Sequence, residues 1–301
     1  MKSMKSMKSS LLFLLVVAVA AAELLQPNTR YHETEGIPKF QLMKQLEEGT
    51  DFDGSRIWGG QAVSGGTHPH LGGLWITLTT GQNSICGSSL VSNTRSVTAA
   101  HCWRTSTLQA TMFTIVWNSN SIFWGGTRIN TNQVIEHPNY NVWNLNNDVA
   151  VIIHNHVNFN NNIQPIALAT GSQTYAGTWA VAAGYGQTGD GNSPSGTKFQ
   201  ANLLVITNSA CQGTWMPGIV IASTLCVSTA HGSSTCPGDS GGPLAVGSGN
   251  NRQLIGITSF GTQWCAQHHP AGFARVTSLR HGLTVTCKTT KYKSISLVPT
   301  K

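Results

Sequence analysis

Three short motifs in the sequence contain the residue types that a nucleophilic hydrolase needs. Ser240 lies in the run GDSGGPL, His101 lies in TAAHC, and Asp148 lies in NDVAV. A serine hydroxyl is a weak nucleophile at neutral pH, and a histidine within hydrogen-bond reach can accept and return its proton. A carboxylate can orient that imidazole and stabilise its charged form. Each motif alone also fits a plain turn, a structural histidine or the start of a strand, so only their combination is informative.

Taken in their order along the chain, His101, Asp148 and Ser240 resemble the catalytic triad of the trypsin/chymotrypsin family of serine proteases. The resemblance extends from Ile57 to about Ser278. It implies an all-β fold of two six-stranded antiparallel β-barrels with the active site in the cleft between them. It also implies a serine endopeptidase that cuts protein and peptide substrates through an acyl-enzyme and needs no cofactor.

The glycines around Ser240 suit a loop whose backbone comes close to a substrate. Glycine permits tight conformations in which successive N–H groups point at one spot. The resemblance implies that the N–H groups of Gly238 and Ser240 form an oxyanion hole, which would stabilise the charge of a tetrahedral intermediate.

The composition favours strands joined by turns. Only 10% of the 301 residues are charged and 32 are glycine. Short apolar runs separated by Gly, Asn, Ser and Pro predict an all-β sandwich or barrel, and this pattern alone does not choose between them. The candidate strands are Leu74 to Leu78, Ser88 to Val91, Phe113 to Trp117, Val149 to Ile153, Trp179 to Ala183, Leu203 to Ile206, Leu254 to Ile257 and Gly272 to Val276.

The chain divides into three segments. Three lysines precede an apolar stretch from Leu11 to Ala22, a pattern that is typical of a secretory signal peptide and too short for a membrane anchor. We therefore expect a secreted, extracellular protein without membrane attachment. The predicted segments are a signal peptide at 1–22, an acidic activation propeptide at 23–56 and a protease domain at 57–301, with barrel 1 at about 57–160, barrel 2 at about 170–280 and a divergent tail at 279–301.

The run RIWGG, which begins at Arg56, resembles the activation junction of the family. Cleavage after Arg56 would free Ile57 as a new amino terminus, which the resemblance pairs with the Asp239 carboxylate. Because a buried charge without a partner is strongly disfavoured, we expect Asp239 to stay out of the interior until that ammonium exists. The uncut chain should then have a poorly formed oxyanion hole. Trp58 departs from the small β-branched residue that is usual there.

The seven cysteines are expected to serve as disulfide partners, because an exported protein meets an oxidising compartment. No Cys-x-x-Cys pair occurs, which argues against zinc, and no bound metal is expected. The resemblance implies the pairs Cys86 with Cys102, Cys211 with Cys226, and Cys236 with Cys265, and it leaves Cys287 over.

The net charge of +7 is concentrated at the end of the chain, where four lysines lie within the last 14 residues. Without a basic stripe in the rest of the chain, nucleic acid is not an expected partner. Lys198 is the one lysine between Ile57 and Cys287, against six arginines, which keep their charge to higher pH. This bias predicts an enzyme that is active in an alkaline gut lumen, and the overall pattern resembles insect midgut digestive chymotrypsins. The alternative is that the scarcity of lysine is a chance bias.

Specificity is predicted from the positions that the resemblance assigns to the primary pocket. Ser234, six residues before Ser240, stands at the pocket floor, where trypsin-like members carry a carboxylate. An uncharged floor does not compensate for burying a cation, so cleavage after Arg or Lys is disfavoured. Gly261 keeps one wall open for large apolar or aromatic side chains, whereas Ala271 narrows the opposite wall. Chymotrypsin-like specificity is therefore predicted, with an elastase-like preference as the alternative.

Residues Ser259, Phe260 and Gly261 are expected to pair with the substrate backbone as an edge strand. A pocket with an uncharged floor should cut poorly after Arg56, so a separate trypsin-like protease is the expected activator. Protein protease inhibitors are further expected partners, and the enzyme is expected to be a monomer.

The C-terminal tail departs from the family pattern. After Ser278 the family continues into an amphipathic helix, but from Leu279 onward the sequence has no apolar helical period, so this helix is expected to be missing. The rival function is a protease homologue that does not cut and serves as a binding module. Such a protein usually lacks a triad residue, and this chain keeps all three. A third interpretation, a secreted adhesive β protein, has only the richness in Gly, Ser and Asn in its support.

Overall fold

The computed structural model describes residues 24–48, 61–63, 66–186, 198–262, 265 and 268–279. These residues form fifteen strands and two α-helices, α1 (Ile37–Glu48) and α2 (Asn208–Gln212). The strands are β1 (Gln61–Ala62), β2 (Leu71–Leu78), β3 (Asn83–Ser92), β4 (Arg95–Thr98), β5 (Ala110–Trp117), β6 (Thr127–Thr131), β7 (Gln133–Glu136), β8 (Ala150–Ile153), β9 (Ala167–Leu168), β10 (Trp179–Gly184), β11 (Phe199–Ile206), β12 (Thr224–Ser228), β13 (Pro243–Val246), β14 (Gln253–Phe260) and β15 (Ala271–Arg275).

The strands form two barrel-like sheets, which confirms the predicted all-β fold. The first sheet has the order β6-β5-β2-β3-β4-β8-β7. Its two end strands, β6 and β7, are separated by one residue and together form a single bent strand. This bent strand closes the sheet into a barrel of six strands. The second has the order β1-β11-β10-β13-β14-β15-β12, and the pairing of β11 with β12 closes it. Strands β1 and β9 are only two residues long: β1 stands at one end of this order, and β9 lies outside it and pairs with β14.

All eight predicted runs overlap strands of the structure. Strand β11 shows why the pattern works, because Phe199, Ala201, Leu203 and Val205 alternate with less buried residues and all four point into the core. The sequence analysis did not predict β1, β4, β6, β7, β9, β12 and β13. Those strands are five residues or fewer, too short for an alternating pattern to stand out.

Three disulfides join the pairs that the family resemblance implies, Cys86–Cys102, Cys211–Cys226 and Cys236–Cys265. The first ties β3 to a 3-10 turn, Ala100–Cys102, that contains His101. The last lies next to the loop that contains Ser240. The first and last bridges therefore brace the segments that hold His101 and Ser240.

The segment before the predicted cleavage site is folded, which the sequence analysis did not anticipate. A π-helical turn, His32–Gly36, leads into α1, and α1 packs on β3. Ile37, Phe40 and Met43 are buried and lie three residues apart, so they share one face of the helix. This short apolar stripe is the one local sequence signal of the helix. Most of the stability of α1 comes from packing this face against the rest of the protein.

Near the carboxyl end, residues 276–279 are helical, and Val276 and Leu279 are buried in the core. The helix that is expected to be missing would follow Ser278, and of this tail only Leu279 belongs to the described residues. Its absence stays a prediction, because the remainder of the tail, with Cys287, lies outside the described residues. The predicted signal peptide, Arg56 and Ile57 also lie outside them. Within the described part of the chain, no helix has both the length and the apolar character needed to cross a membrane.

Gly87 on β3 is the point at which the first sheet contacts the loop that contains Ser240. Its N–H donates to the Ser240 carbonyl at 2.7 Å, and its carbonyl accepts from the Thr98 hydroxyl at 2.8 Å. A Cβ at this position would meet the Gly242 Cα at 2.9 Å. The lack of a side chain therefore lets the two barrels approach at the site.

We predict that Gly87→Ala lowers the free energy of unfolding by about 1–3 kcal/mol, because the added methyl group overpacks against backbone. Gly213→Ala is the matched control, since its Cβ would enter open space and its φ of −67° suits alanine. That control should change stability by less than about 0.5 kcal/mol. Denaturant unfolding of the full chain measures both, and equal stability of the two variants would contradict the proposed close contact.

Candidate functional site

His101 and Asp148 form a buried, hydrogen-bonded pair. The Asp148 carboxylate accepts from the His101 backbone N–H at 2.8 Å and from its Nδ1 at 2.7 Å, and both residues are 1% exposed. The Ser259 hydroxyl donates to the same carboxylate at 2.6 Å. Three donors therefore compensate the buried charge. A carboxylate accepts only, so Nδ1 carries the ring proton and Nε2 is left as the basic nitrogen.

The turn before Asp148 explains how the carboxylate reaches this position. Asn147 has a φ of 56°, in the left-handed region that asparagine tolerates better than most residues. Its side-chain oxygen accepts from the Ser223 hydroxyl at 2.9 Å and its amide donates to the Asn139 carbonyl at 3.0 Å. These bonds hold the tight turn, so Asp148 stands at the mouth of β8 and faces His101.

Ser240 lies in a loop whose shape requires glycine on both sides. Gly238 has a φ of 99° and Gly241 a φ of 78°, which side-chain-bearing residues rarely adopt. A Cβ on Gly238 would meet the Gly186 Cα at 2.9 Å, and one on Gly241 would meet the Gly87 carbonyl at 2.5 Å. The GDSGGPL motif is thus needed for the loop as well as for any chemistry at its serine.

Asp239 is buried in the uncut chain, so the expectation that it stays out of the interior until cleavage is wrong. Its carboxylate accepts from the Gly186 N–H at 2.8 Å and from the Cys236 N–H at 3.0 Å. Burial raises the pKa of this carboxyl to about 6, although those bonds and the nearby Lys39 ammonium oppose the rise. The sequence analysis expected the Ile57 ammonium to compensate the buried Asp239 carboxylate. In the uncut chain two backbone N–H groups and Lys39 provide part of that compensation.

His101 and Ser240 line one cleft, but the hydrogen-bonded row predicted from the sequence is incomplete. Among the described residues, the buried Nε2 atom of His101 has no hydrogen-bond partner. The ring of Tyr31 packs edge-on against the His101 ring, with 4.9 Å between centroids. Tyr31, Asn28 and Glu35 line this cleft as well. Sequence reasoning missed all three, because no motif marks them.

Two of the three predicted specificity positions, Gly261 and Ala271, lie close together at the second sheet. Ser234 is buried, and its hydroxyl donates to the Thr235 carbonyl at 2.9 Å. A Cβ on Gly261 would lie 3.9 Å from the Ala271 Cβ, so these two residues face each other. Gly261 and its neighbours Ser259 and Phe260 line the cleft. The arrangement suits a pocket with an uncharged floor.

One cluster in the described residues has the ligand types of a metal site. The sulfur atoms of Cys86 and Cys102 and a ring nitrogen of His101 lie within 4.8 Å of one another. The two sulfur atoms form a disulfide, however, and a thiolate is the form that binds a metal. The cluster therefore fits a structural bridge beside the histidine.

Comparisons with known proteins agree with this geometry. The trypsin family profile matches residues 57–282. A collagenase of Hypoderma lineatum is 36% identical over 228 residues, which cover 74% of this chain and 84% of the collagenase. Serine protease 1 of Drosophila melanogaster is 36% identical over 232 residues, 74% of this chain and 82% of that protein. The solved structure of HL collagenase aligns with a TM-score of 0.72 and 34% identity over 78% of this chain and all of that one.

We predict that Asp239 makes the uncut chain less stable as pH rises from about 4 to 6. The folded pKa of about 6 lies above the ordinary value of 3.8, so the folded state binds a proton more readily than the unfolded state. The stabilisation that protonated Asp239 gives the folded state is complete below about pH 4. It is lost as the pH rises to about 6, and it is absent above about pH 6. Lys39, whose pKa burial lowers to about 8, stays charged throughout this window.

The measurement is the difference in unfolding free energy between the uncut wild-type chain and Asp239→Asn across pH 4 to 7. This difference should shift by about 2–3 kcal/mol in favour of the wild type as pH falls. A flat difference would show that the carboxyl has an ordinary pKa in the folded state.

Proposed function

The chain belongs to the trypsin family of serine proteases and is a serine endopeptidase, and we propose that it is a secreted, chymotrypsin-like digestive enzyme made as a zymogen. The observation that carries the proposal is the buried hydrogen bond between His101 and Asp148, next to a cleft that also holds the glycine-flanked Ser240. Its substrates are proteins and peptides, as the family implies.

In the proposed mechanism, Nε2 of His101 accepts the proton of the Ser240 hydroxyl as its oxygen attacks the carbonyl carbon of the substrate. Asp148 keeps Nδ1 protonated and stabilises the imidazolium. The N–H groups of Gly238 and Ser240 stabilise the oxyanion. His101 then returns the proton to the leaving amine, and a water molecule activated by the same nitrogen hydrolyses the acyl-enzyme.

Ser234 and Gly261 support the proposed preference for large apolar or aromatic side chains. A buried, uncharged Ser234 gives no compensation for a cation, whereas Gly261 adds no side chain to the wall. Ala271 is the observation that favours the second candidate, an elastase-like preference, because its methyl group faces Gly261.

The zymogen proposal rests on the Arg56–Ile57 junction and on Asp239. Cleavage after Arg56 would supply an ammonium at Ile57, and the raised pKa of Asp239 indicates a carboxyl that a closer cation would stabilise. A trypsin-like protease is the proposed activator, since the pocket floor is uncharged; rapid self-conversion of the purified uncut chain would contradict this. The apolar stretch at 11–22 and the disulfides support secretion, and the scarcity of lysine supports an alkaline gut lumen.

We predict that enzyme cleaved after Arg56 and freed of its leader reacts stoichiometrically with a serine-directed organophosphate, with the label on Ser240. Ser240→Ala should abolish labelling and lower the rate of peptide hydrolysis by at least about a thousandfold. Ser248→Ala, in an exposed loop, is the control and should retain both properties. Absence of labelling in the matured wild type would instead favour the homologue that binds without cutting.

A peptide library with varied residues before the cut bond tests the specificity. We predict that the wild type prefers Phe, Tyr, Leu or Trp over Ala, and that Ala271→Gly raises the kcat/KM ratio of Phe over Ala by about tenfold, because it enlarges the pocket. Gly261→Ala narrows the facing wall and should lower that ratio. A wild-type preference for Ala, or a ratio unchanged by both substitutions, would favour a different pocket.

A further inference from the structure

The leader segment, which we define as residues 24–48, is attached to the second sheet's side of the cleft at its start. The Leu25 N–H donates to the Thr214 carbonyl at 3.0 Å, and the Leu25 carbonyl accepts from the Met216 N–H at 2.9 Å. Further along, the Thr29 carbonyl accepts from both the N–H and the hydroxyl of Ser106, at 3.0 and 2.8 Å. These are backbone bonds of the kind that hold a docked peptide.

The other end of the leader segment is attached to the first sheet. Phe40 of α1 packs against Trp75 and Phe123, with centroid distances of 5.1 and 5.0 Å, and Met43 is 1% exposed. Gly36 lies so close to Ser84 on β3 that a Cβ would collide with the serine hydroxyl. The segment is thus fixed on both walls of the cleft, with residues 30–35 between the two attachments.

Tyr31 lies at the centre of this span, against the proposed catalytic groups. Its hydroxyl donates to the Ile85 carbonyl at 2.7 Å, and its ring packs on the His101 ring in the cleft that Ser240 also lines. The side chain is 3% exposed. The Tyr31 side chain therefore takes up space that a substrate would need beside His101 and Ser240. The Nε2 atom of His101 has no hydrogen-bond partner among the described residues.

The leader segment does not lie in the cleft as a substrate would. The group that it places in the cleft with Ser240 is the Tyr31 side chain, which has no carbonyl carbon for attack. From His32 to Gly36 the backbone forms a π-helical turn, whereas pairing with the edge residues Ser259–Gly261 requires an extended peptide. An amide–carboxylate bond of 2.6 Å from Asn28 to Glu35 closes this turn around Tyr31. The segment can therefore block the site without being cut.

Lys39 adds a charge contribution to the docking. It is 5% exposed, and it attracts the buried Asp239 carboxylate. Loss of the leader segment would leave that carboxylate with fewer favourable interactions, unless another cation replaced the lysine. The ammonium of Ile57, formed by cleavage, is a cation of this kind, so activation would exchange one positive charge for another.

We propose that the leader segment is an inhibitor of its own protease domain: with the Tyr31 ring packed on His101 and its hydroxyl bound to the Ile85 carbonyl, it blocks the cleft and stays bound after cleavage at Arg56, so that full activity requires its release. The proposal rests on the proposed function, and it adds a second step to activation. The cleft and the adjoining face of β3 are accordingly an interaction surface, whose partner is this segment.

The test uses the full chain with a cut site for one specific protease, because trypsin could also cut at the exposed Arg30. Phe52→Asp, Gly54→Asp, Ser55→Asp and Arg56→Lys, together with the native Asp53, create an enteropeptidase site that leaves Ile57 as the new terminus. After complete cleavage, hydrolysis of a chromogenic peptide is measured before and after gel filtration in mild denaturant followed by refolding. Native gel filtration with mass spectrometry shows whether the leader peptide co-elutes.

We expect the cleaved protein to co-elute with its leader and to gain at least about tenfold in activity when the leader is removed. Adding Tyr31→Phe removes the hydroxyl and keeps the ring, so it should give about tenfold more activity before separation, since the buried hydrogen bond to the Ile85 carbonyl is lost. After separation the two proteins should be equally active, because the leader is gone from both. Gln45→Ala, on an exposed position of α1, should behave as the parent.

Two results would overturn the proposal: full activity immediately after cleavage, or a leader that separates in native gel filtration. Equal latency of Tyr31→Phe and the parent would also overturn it, because the hydroxyl would then have no part. Failure of the proposed function is distinguishable, since the separated protease domain would then remain inactive and its Ser240 unlabelled. Co-elution tests the docking even in that case.

Discussion

The buried carboxylate of Asp148 is the interaction on which the site depends. It takes bonds from the backbone and ring of His101, which the first sheet's disulfide-braced turn holds, and from Ser259 at the end of β14 in the second sheet. A charge removed from water must be compensated by donors, and here the donors belong to both barrels. These bonds therefore join the two sheets beside the cleft that His101 and Ser240 line.

Close backbone contact is the second requirement, and glycine satisfies it. Gly87 and Gly242 let β3 approach the loop of Ser240, while Gly238 and Gly241 adopt conformations that other residues avoid. The same loop sets the direction of the N–H groups that we propose as an oxyanion hole. The motif around the serine is therefore a constraint on backbone shape, which explains why its glycines extend to both sides of the hydroxyl.

The uncut chain combines a nearly formed site with a segment that occupies it. Asp239 is already buried on two backbone donors, and the Tyr31 ring lies against the His101 ring in the cleft that Ser240 lines. Control in this protein thus depends less on an unformed loop than the sequence suggests, and more on what fills the cleft. The separation of the leader from the protease domain becomes a step with its own free energy, set by aromatic packing and one buried lysine.

The sequence by itself determined what depends on local pattern or on a dense motif: the strand runs, the triad candidates, the cysteine pairs that the family resemblance implies, and the uncharged residue at position 234. Short strands such as β4 and β12 were missed, because four or five residues carry too little alternation. Only the tertiary structure decided that Asp239 is buried before cleavage and that Tyr31 packs on His101. Both depend on groups far apart along the chain, Gly186 with Asp239 and Tyr31 with Ile85 and His101, and nothing in the local sequence of either partner encodes that meeting.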